Sequence, residues 1–195
     1  MVDLLSDISY TETNGRKAGG HMKITQATTA DIDEVAESYE KLFDYYETHP
    51  DTTLWKRGVY PSRAWAETGV ANGWLYVMRD EEGHFVASCF WNQVQGKEYK
   101  DQPWRYPAKD SEVMVGHTLC VLPGVKHHGI GRAFVEFGME LGREKGCKVM
   151  RFDPHIDNIP ASHLYENMGF RLVSTGPAIL NGLVPVTLRY YEQKL

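Results

Sequence analysis

One stretch of the chain constrains its fold more than any other. An apolar strand pattern over Glu112–Leu122 leads through a short turn into a strong helix pattern over Gly129–Lys145. The turn contains Gly129 and Gly131, which have no side chain to block an approaching ligand. The start of a helix also leaves backbone N–H groups without acceptors, and the helix dipole adds positive potential there. The stretch therefore predicts an α/β fold with an anion-binding turn suited to a pyrophosphate.

Two common phosphate-binding patterns do not fit this turn. A dinucleotide fingerprint requires a third glycine where this chain has Phe134. Gly124 and Gly129 have the spacing of a P-loop, but Ile130 and Gly131 follow instead of Lys and Ser or Thr. From these residues alone, an ordinary tight turn between a strand and a helix remains an open alternative.

The rest of the chain alternates between strand and helix patterns. Strands are predicted at Lys23–Ala27, Leu75–Arg79, Phe85–Trp91, Cys147–Phe152, Phe170–Val173 and Val184–Glu192, and helices from Thr28–Asp31 to before Pro50, at Pro61–Val70 and at Pro160–Met168. Asp31 and Glu34 have the spacing of a capping box. Gln93–Asp110 interrupts the pattern as a long polar segment. This order predicts an α/β domain with a mixed sheet flanked by helices.

Composition excludes several classes of protein. The chain has 195 residues, enough for one domain, and 21 Lys and Arg against 26 Asp and Glu give a net charge of −5. Such a chain has no basic field for nucleic acid. No window approaches the ~18 apolar residues of a membrane helix. Three widely spaced cysteines favour a reducing compartment, the cytoplasm, and argue against a zinc site.

The first 21 residues differ from the remainder. They are polar and lack the basic start and apolar run of a signal peptide. The sequence Gly20-His21-Met22 is typical of a cloning junction before a native start. We interpret residues 1–21 as a fusion leader, with a natural mobile arm as the alternative, and expect a single domain at residues 22–195.

Two motifs together resemble those of a known family. Lys126-x-x-Gly129-x-Gly131-x-Ala133 is similar to the [QR]-x-x-G-x-[GA] motif of the GNAT superfamily of acetyl-CoA-dependent N-acetyltransferases, with lysine in place of Gln or Arg. The segment from Asn158 to Phe170 resembles the N-x-x-A-x-x-L-Y-x-x-x-G-F block of the same family. The two motifs occur in the family's usual order and separation. The resemblance is strong from about residue 113 to residue 173 and weaker before that.

The resemblance implies that acetyl-CoA is the cosubstrate and that the sheet is partly splayed. Strands Glu112–Leu122 and Cys147–Phe152 would separate, and the backbone of Leu119, Cys120 and Val121 would pair with the pantetheine arm. Leu119 and Val121 also suit core packing. The residues assigned to acetyl-CoA binding are Leu119, Cys120, Val121, Lys126, His127, His128, Gly129, Ile130, Gly131, Arg132, Ala133 and Asn158. For Asn158, a turn-forming role before Pro160 is an equal alternative.

The resemblance also implies the catalytic residues. A tyrosine at the position of Tyr165 protonates the leaving thiolate, and the alternative is an aromatic ring packed under the sheet. A histidine matching His117 occurs in arylalkylamine-type members, where an imidazole of pKa ~6.5 suits proton removal. Strand alternation places His117 on the face of Val115, Leu119 and Val121. Glu112, on the opposite face, is the reserve base, and a structural role for His117 is the alternative.

The acceptor is poorly specified by the sequence. Trp55, Tyr60, Trp104 and Tyr106 lie in irregular segments and suit either an acceptor pocket or small surface clusters. Neither His127-His128 nor the group Asp153, His155 and Asp157 has the spacing of a metal site, so no metal is expected. We expect transfer of an acetyl group to a primary amine of a small molecule or peptide, by a monomer or homodimer. A non-catalytic acyl-CoA-binding regulatory domain is the alternative.

Overall fold

The structure is a computed structural model that describes residues 8–9, 22–125, 129–180 and 182–195. Lys126, His127 and His128 of the predicted anion-binding turn lie outside the described residues, as does most of the expected leader. Within the described part of the chain, no helix is long and apolar enough to cross a membrane. The leader and single-domain interpretations stay predictions.

In the described part of the chain, eight strands form one mixed sheet, and four α-helices pack on it. The strands are β1 (Ile8–Ser9), β2 (Lys23–Gln26), β3 (Leu75–Arg79), β4 (Phe85–Asn92), β5 (Val113–Val121), β6 (Val149–Phe152), β7 (Arg171–Leu180) and β8 (Val184–Lys194). The helices are α1 (Ile32–Tyr46), α2 (Arg63–Ala71), α3 (Ile130–Glu144) and α4 (Ile159–Asn167). The strand order is β1-β2-β3-β4-β5-β6-β8-β7, and only β5 and β6 are parallel. The predicted mixed sheet is confirmed.

The helices cover opposite faces of the sheet. Tyr76 and Met78 of β3 pack in the cluster that contains α3, whereas Leu75 and Val77 pack in the cluster that contains α1 and α2. Alternate side chains of a strand point to opposite faces, so α3 lies on one side and α1 with α2 on the other. Each face is apolar because the sheet is buried between these two layers.

The predicted splaying of the two central strands is confirmed. β5 and β6 pair only over Val113↔Val149, Met114↔Met150 and Val115↔Arg151. Beyond Val115, β5 continues for six residues and pairs only with β4, while β6 ends at Phe152. The gap that opens between the two strands is the main feature that positions the site.

The predicted capping box at the start of α1 is wrong by one turn. A 3₁₀ turn at Thr29–Asp31 precedes the helix, so Thr28 occupies the cap position. The backbone N–H of Thr28 and its hydroxyl both donate to Asp31 Oδ2 at 2.8 Å. Glu34 instead accepts from Arg79 Nη2 at 2.6 Å, and Asp31 accepts from the same nitrogen at 2.8 Å.

β7 is much longer than the predicted Phe170–Val173. It pairs with β8 from Arg171 to Leu180. Gly176 and Pro177 favour an earlier end, but β7 is the last strand of the sheet. Proline, which lacks a backbone N–H, is tolerated on an edge strand because one side of that strand faces no partner.

The long segment Gln93–Asp110 is tied to the end of the sheet. Its Trp104 indole N–H donates to Tyr99 O at 2.7 Å, and the Arg151 guanidinium lies 3.9 Å from the centre of the Trp104 ring. The buried Glu192 carboxylate accepts the backbone N–H groups of Arg105, at 2.7 Å, and Tyr106, at 3.4 Å. This segment therefore covers the α1 side of β5, β6 and β8.

Candidate active site

A cavity of about 400 Å³ occupies the gap where β5 and β6 separate. Its walls come from α1, the segment between α1 and α2, the second half of β5, the start of α3, the residues after β6, and α4. The predicted Leu119, Cys120, Val121, Gly131, Asn158, Tyr165 and His117 all line it. The structure therefore brings together residues from both sequence motifs.

A bulge in β5 shapes this cavity. Ser88 of β4 pairs with Cys120, but Phe90 pairs with His117, so Thr118 and Leu119 stand opposite one residue of β4. Thr118 has φ +52°, a strained conformation for a β-branched residue. Its hydroxyl lies 2.5 Å from the Tyr60 hydroxyl and accepts from the Trp65 indole N–H at 3.1 Å.

Because of the bulge, the predicted placement of His117 on the same face as Leu119 and Val121 is wrong. Val115 packs with the cluster under the Gln93–Asp110 segment, whereas Leu119 and Val121 contact the cluster that contains α3. His117 therefore does not share a face with Leu119 and Val121, because the extra residue at Thr118 reverses the alternation between them.

The second half of β5 presents a free backbone edge to the cavity. The Leu122 N–H donates to Val86 O at 3.0 Å, and Cys120 stands opposite Ser88. In an antiparallel ladder, alternate residues direct their N–H and C=O groups to the partner strand. The backbone groups of Cys120 thus point to β4, and those of Leu119 and Val121 point to the gap left by β6. Of the three predicted residues, Leu119 and Val121 can pair with an extended ligand.

Cys120 is buried and unsuited to nucleophilic catalysis. Its sulfur lies 4.0 Å from the Ser38 hydroxyl. Burial raises the pKa of the Cys120 thiol to about 12, so almost none is thiolate at neutral pH. All three cysteines are free and buried.

The start of α3 has the geometry of an anion site. Gly129 caps the helix with φ +94°, a left-handed conformation that favours glycine. The Ala133 N–H already donates to Gly129 O at 2.8 Å, so the N–H groups of Ile130, Gly131 and Arg132 are the ones without intrahelical acceptors. A side chain at Gly131 would begin 3.0 Å from Leu164 Cδ2, at the cavity wall. The Arg132 guanidinium is 3.4 Å from Glu136.

Asn158 is positioned for both of the roles that the sequence leaves open. Its Oδ1 accepts the Ala161 N–H at 3.2 Å and caps α4. The residue also lines the cavity.

Tyr165 is held rigidly on α4 at the cavity wall. Its ring stacks on Phe152 with centroids 4.0 Å apart and an interplanar angle of 11°. The residue also lines the cavity. Burial raises the pKa of Tyr165, so the phenol keeps its proton at any working pH. The ring of Tyr165 packs against Phe152 and the residue also lines the cavity, so a packing role and an acid role are compatible.

His117 also lines the cavity, but as a neutral group. Its Nε2 lies 3.3 Å from Val94 O, and because a carbonyl only accepts, this nitrogen carries the proton and Nδ1 the lone pair. Burial lowers the pKa of His117 to about 4, although the side chain keeps some exposed surface. A group with that pKa is a much weaker base than the predicted imidazole near 6.5.

Glu112 does not reach the cavity. It lies in the 3₁₀ turn before β5, where it accepts from Lys148 Nζ at 2.5 Å and from the Lys109 N–H at 3.0 Å. The Lys148 ammonium lowers the pKa of the Glu112 carboxyl. Gly116, the nearest lining residue of β5, is four residues along an extended strand, or about 13 Å away. Glu112 is therefore badly placed for the reserve role.

The structure adds Asp153, which sequence reasoning considered only as a metal ligand. Asp153 follows β6 directly and lines the cavity. Burial raises the pKa of Asp153 to about 7, the negative charge of Glu98 adds to this rise, and the Tyr99 hydroxyl opposes it. A carboxyl directly after a strand that splays from its neighbour was the available sequence signal.

Two of the four aromatic residues proposed for the acceptor pocket line the cavity. Trp55 and Tyr60 do so, in edge contact at 6.1 Å, together with Tyr46 of α1. Trp104 and Tyr106 do not line it, because the buried Glu192 and Arg151 hold their segment against the end of the sheet.

In the described residues, one group has the geometry to hold a metal ion. It consists of Asp80, Glu82 and His84 in the turn between β3 and β4, away from the cavity. Asp80 uses its Oδ1 to accept the backbone N–H groups of Glu82 and His84, at 3.0 and 2.9 Å, so turn formation accounts for this cluster.

The chain is similar to known acetyltransferases. A model of the acetyltransferase (GNAT) family matches residues 32–170. An uncharacterized N-acetyltransferase of Methanocaldococcus jannaschii is 26% identical over 151 residues, which cover 75% of this chain and 59% of that protein. The chain thus spans about three fifths of the length of this relative.

Solved structures share the fold. A GNAT-family acetyltransferase from Streptococcus agalactiae has a TM-score of 0.71 at 19% identity, covering 90% of this chain and 96% of its own. A phosphinothricin acetyltransferase from Sinorhizobium meliloti, solved with acetyl-CoA, has a TM-score of 0.65 at 16% identity, covering 89% and 88%. A Salmonella typhimurium protein, also solved with acetyl-CoA, has a TM-score of 0.63 at 17% identity, covering 90% and 94%.

Proposed function

Since this chain belongs to the GNAT family of acetyltransferases, which use acetyl-CoA as acyl donor, we propose that it transfers the acetyl group directly to a primary amine of a small molecule or peptide. One observation supports this most. Among the described residues, one cavity combines the free backbone edge of β5 and the start of α3 with aromatic side chains of α1 and of the segment before α2, and Tyr165 lies on its wall. A protein that only bound the cosubstrate would have no need of the aromatic part of this cavity.

The residues of the chain suit acetyl-CoA. An extended pantetheine arm carries amide groups that match the free N–H and C=O groups of Leu119 and Val121. The N-terminus of α3, with Gly129 and Gly131, suits the pyrophosphate. Because Gly131 has no side chain, the pyrophosphate can approach the backbone at the start of α3.

Tyr165 is the proposed acid. Attack of an amine on the thioester forms a C–N bond and breaks the C–S bond, which leaves a thiolate that needs a proton. The raised pKa of Tyr165 keeps the phenol protonated until that moment. The thiolate would form in the same poorly solvated cavity, so burial raises its proton affinity as well.

The test is a screen of primary amines with acetyl-CoA, reading released thiol and product mass. Turnover with at least one amine supports the proposal. Binding of acetyl-CoA without turnover of any amine would instead favour a non-catalytic acyl-CoA-binding domain. Binding alone is measured by the rise in melting temperature that the cosubstrate causes.

Replacing Tyr165 tests the acid directly. Tyr165→Phe keeps the stacked ring and removes the hydroxyl, so turnover is expected to fall ~10²–10⁴-fold while acetyl-CoA affinity changes little. Tyr191→Phe is the matched control, because the Tyr191 hydroxyl bonds to Glu166 at 2.7 Å rather than facing the cavity. Equal turnover in the two variants would assign Tyr165 to packing alone.

A further inference from the structure

Asp153 lines the same cavity as Tyr60 and Tyr165. Burial raises the pKa of Tyr60, and the Asp153 carboxylate adds to that rise. The same carboxylate contributes to the raised pKa of Tyr165, after burial and the Cys89 thiol. Asp153 is thus close enough to influence both an aromatic residue of the acceptor pocket and the proposed acid. An amine that attacks a thioester beside Tyr165 enters the cavity that Asp153 lines.

Several titratable groups face Asp153, and none of those described is a lysine or an arginine. They are Glu98 and Tyr99 of the segment after β4, Tyr60 before α2, Tyr165 of α4 and Tyr190 of β8, with His117 of β5 and His155 after Pro154 on the same cavity wall. The Tyr99 hydroxyl is directed at Asp153 and partly offsets the rise of its pKa, whereas the Tyr190 hydroxyl is buried without a hydrogen-bond partner. Asp153 therefore has no cationic partner among the described residues that line the cavity.

The charge and polarity of the lining limit the acceptor. Among the described lining residues, Asp153 is the one carboxylate, and there is no Lys or Arg. The lining also includes the apolar and aromatic side chains of Leu42, Tyr46 and Trp55. A cation can pair with the carboxylate and lie against aromatic faces, whereas an anionic group would be buried unpaired.

We propose that the acceptor is a cationic primary amine attached to an apolar or aromatic group, and that Asp153 binds its ammonium and then takes a proton from it. This proposal rests on the proposed function and specifies its substrate class and its base. His117, which stays neutral and binds Val94 O, becomes part of the wall that orients the amine.

The proton balance is complete with residues of this chain. Asp153 takes one proton from the ammonium, and the neutral nitrogen forms a bond to the acetyl carbon as the C–S bond breaks. Tyr165 gives its proton to the departing thiolate and recovers one from the nitrogen, which ends as an amide with a single hydrogen. Asp153 then releases its proton to water, so one proton is released for each acetyl group transferred.

The first experiment compares acceptors. Phenethylamine, butylamine and glutamate are offered at equal concentration with acetyl-CoA, and thiol release is measured. We expect phenethylamine to have the highest kcat/KM and glutamate to be lower on the order of a hundredfold, because its carboxylates would face Asp153. If glutamate is the better acceptor, the proposal is overturned while the proposed function stands. If no amine is acetylated, both fall.

The second experiment tests Asp153 through pH. If Asp153, with a pKa of about 7, is the base, kcat/KM for phenethylamine should rise with pH and level off above about 7; this rise is the acidic limb of the profile. The value of kcat/KM should fall again at higher pH, where the amine loses its charge. Asp153→Asn should lower kcat/KM ~10²–10⁴-fold and remove that limb, while the thermal shift with acetyl-CoA shows that the variant is folded. Asp157→Asn, at an exposed carboxylate outside the cavity, is the matched control and should keep the limb.

A third variant distinguishes a base from a structural carboxylate. The Glu98 charge raises the pKa of Asp153, so Glu98→Gln should lower that pKa and move the limb to more acidic pH, with little loss of maximal rate. A structural role for Asp153 would not move the limb. The proposal would be overturned if the limb is unchanged in both Asp153→Asn and Glu98→Gln. It would also be overturned if His117→Gln removes the limb and Asp153→Asn does not.

Discussion

The two halves of the cavity are built in different ways. The proposed cosubstrate half consists of backbone groups of β5 and α3 together with residues of α4, all from one continuous part of the chain. The proposed acceptor half consists of side chains of α1, of the segment before α2, and of Asp153 after β6, which are distant from one another in sequence. Backbone recognition suits a ligand that every member of the family shares, whereas side-chain recognition can change with the acceptor. In the proposed function, binding of the cosubstrate and choice of the acceptor therefore have separate structural origins.

The largest effect is expected from a substitution that blocks binding of acetyl-CoA and leaves the acceptor half unchanged. Gly131→Glu places bulk and negative charge at the start of α3, beside Leu164, where the pyrophosphate is proposed to lie. The stabilisation by acetyl-CoA, ~2.7 kcal/mol at a hundredfold excess over the dissociation constant, should disappear. Differential scanning fluorimetry with acetyl-CoA, ATP and NAD measures this, and neither nucleotide should stabilise the unmodified protein.

Gly131→Gln is the control for charge. It adds nearly the same bulk without the negative charge, so any binding that it retains is a measure of the electrostatic part. A normal thermal shift in Gly131→Glu would place the anion site elsewhere.

A smaller effect is expected where the two halves are joined. Thr118→Gly relieves the left-handed strain but removes the hydroxyl that holds Tyr60 and Trp65. Because the relief and the lost hydrogen bonds are each about 1–2 kcal/mol, stability should change little. The acceptor KM should rise about tenfold, since Tyr60 is no longer fixed, and acetyl-CoA affinity should be retained.

Thr118→Ser keeps the hydroxyl and is the matched control. Steady-state kinetics with each substrate varied in turn separates the two halves. A rise in the KM of acetyl-CoA equal to that of the acceptor would show that the bulge serves both.

The pH dependence of stability should distinguish Asp153 from His117. The pKa of Asp153 is raised from 3.8 to about 7, so its contribution to stability is present at low pH and is lost as pH rises through about 7. The pKa of His117 is lowered from 6.5 to about 4, so its contribution is present above 6.5 and is lost as pH falls towards 4. The two contributions oppose each other over the same range.

Urea unfolding at about pH 5 and about pH 7.5 measures these contributions. Relative to the unmodified protein, Asp153→Asn should make the unfolding free energy rise more steeply with pH. His117→Gln, which can still donate to Val94 O, should make it rise less steeply. Shifts of the same sign in both variants would contradict the assigned pKa directions.

The smallest effect is expected from the region outside both halves. Deletion of residues 1–21 removes the pairing of Ile8 with Ile24 and Ser9 with Lys23, at the edge of the sheet far from the cavity strands. Folding and turnover should stay nearly unchanged, as judged by melting temperature and thiol release. A large loss of either would show that the leader interpretation is wrong.

Local patterns predicted most of the fold. The periodicity of Glu112–Leu122 and Gly129–Lys145 located β5 and α3 within one or two residues, and the glycines between them predicted the left-handed start of α3 at Gly129. These signals are local, because strand alternation, helix stripes and left-handed glycines depend on a few neighbouring residues. The prediction for β7 was too short, because the position of this strand at the edge of the sheet, where Pro177 is tolerated, is not a local property of the sequence.

The candidate base was harder to predict because burial and bulges are not written in a short motif. Alternation along β5 placed His117 with Leu119 until the extra residue at Thr118 reversed the pattern. Imidazole and carboxyl groups were compared by their ordinary pKa values, and burial moved His117 away from neutrality and Asp153 towards it.

The sequence by itself determined the family and the order of elements, and it predicted the cosubstrate half, because those depend on backbone conformation and on residues close together in the chain. Only the tertiary structure decided which side chains line the cavity. It brought Asp153 into the cavity wall with Tyr60 and Tyr165, took Glu112 out of reach and placed Trp104 at the end of the sheet. The physical reason is that proton affinity and contact are set by neighbours from other elements, which a single chain pattern does not contain.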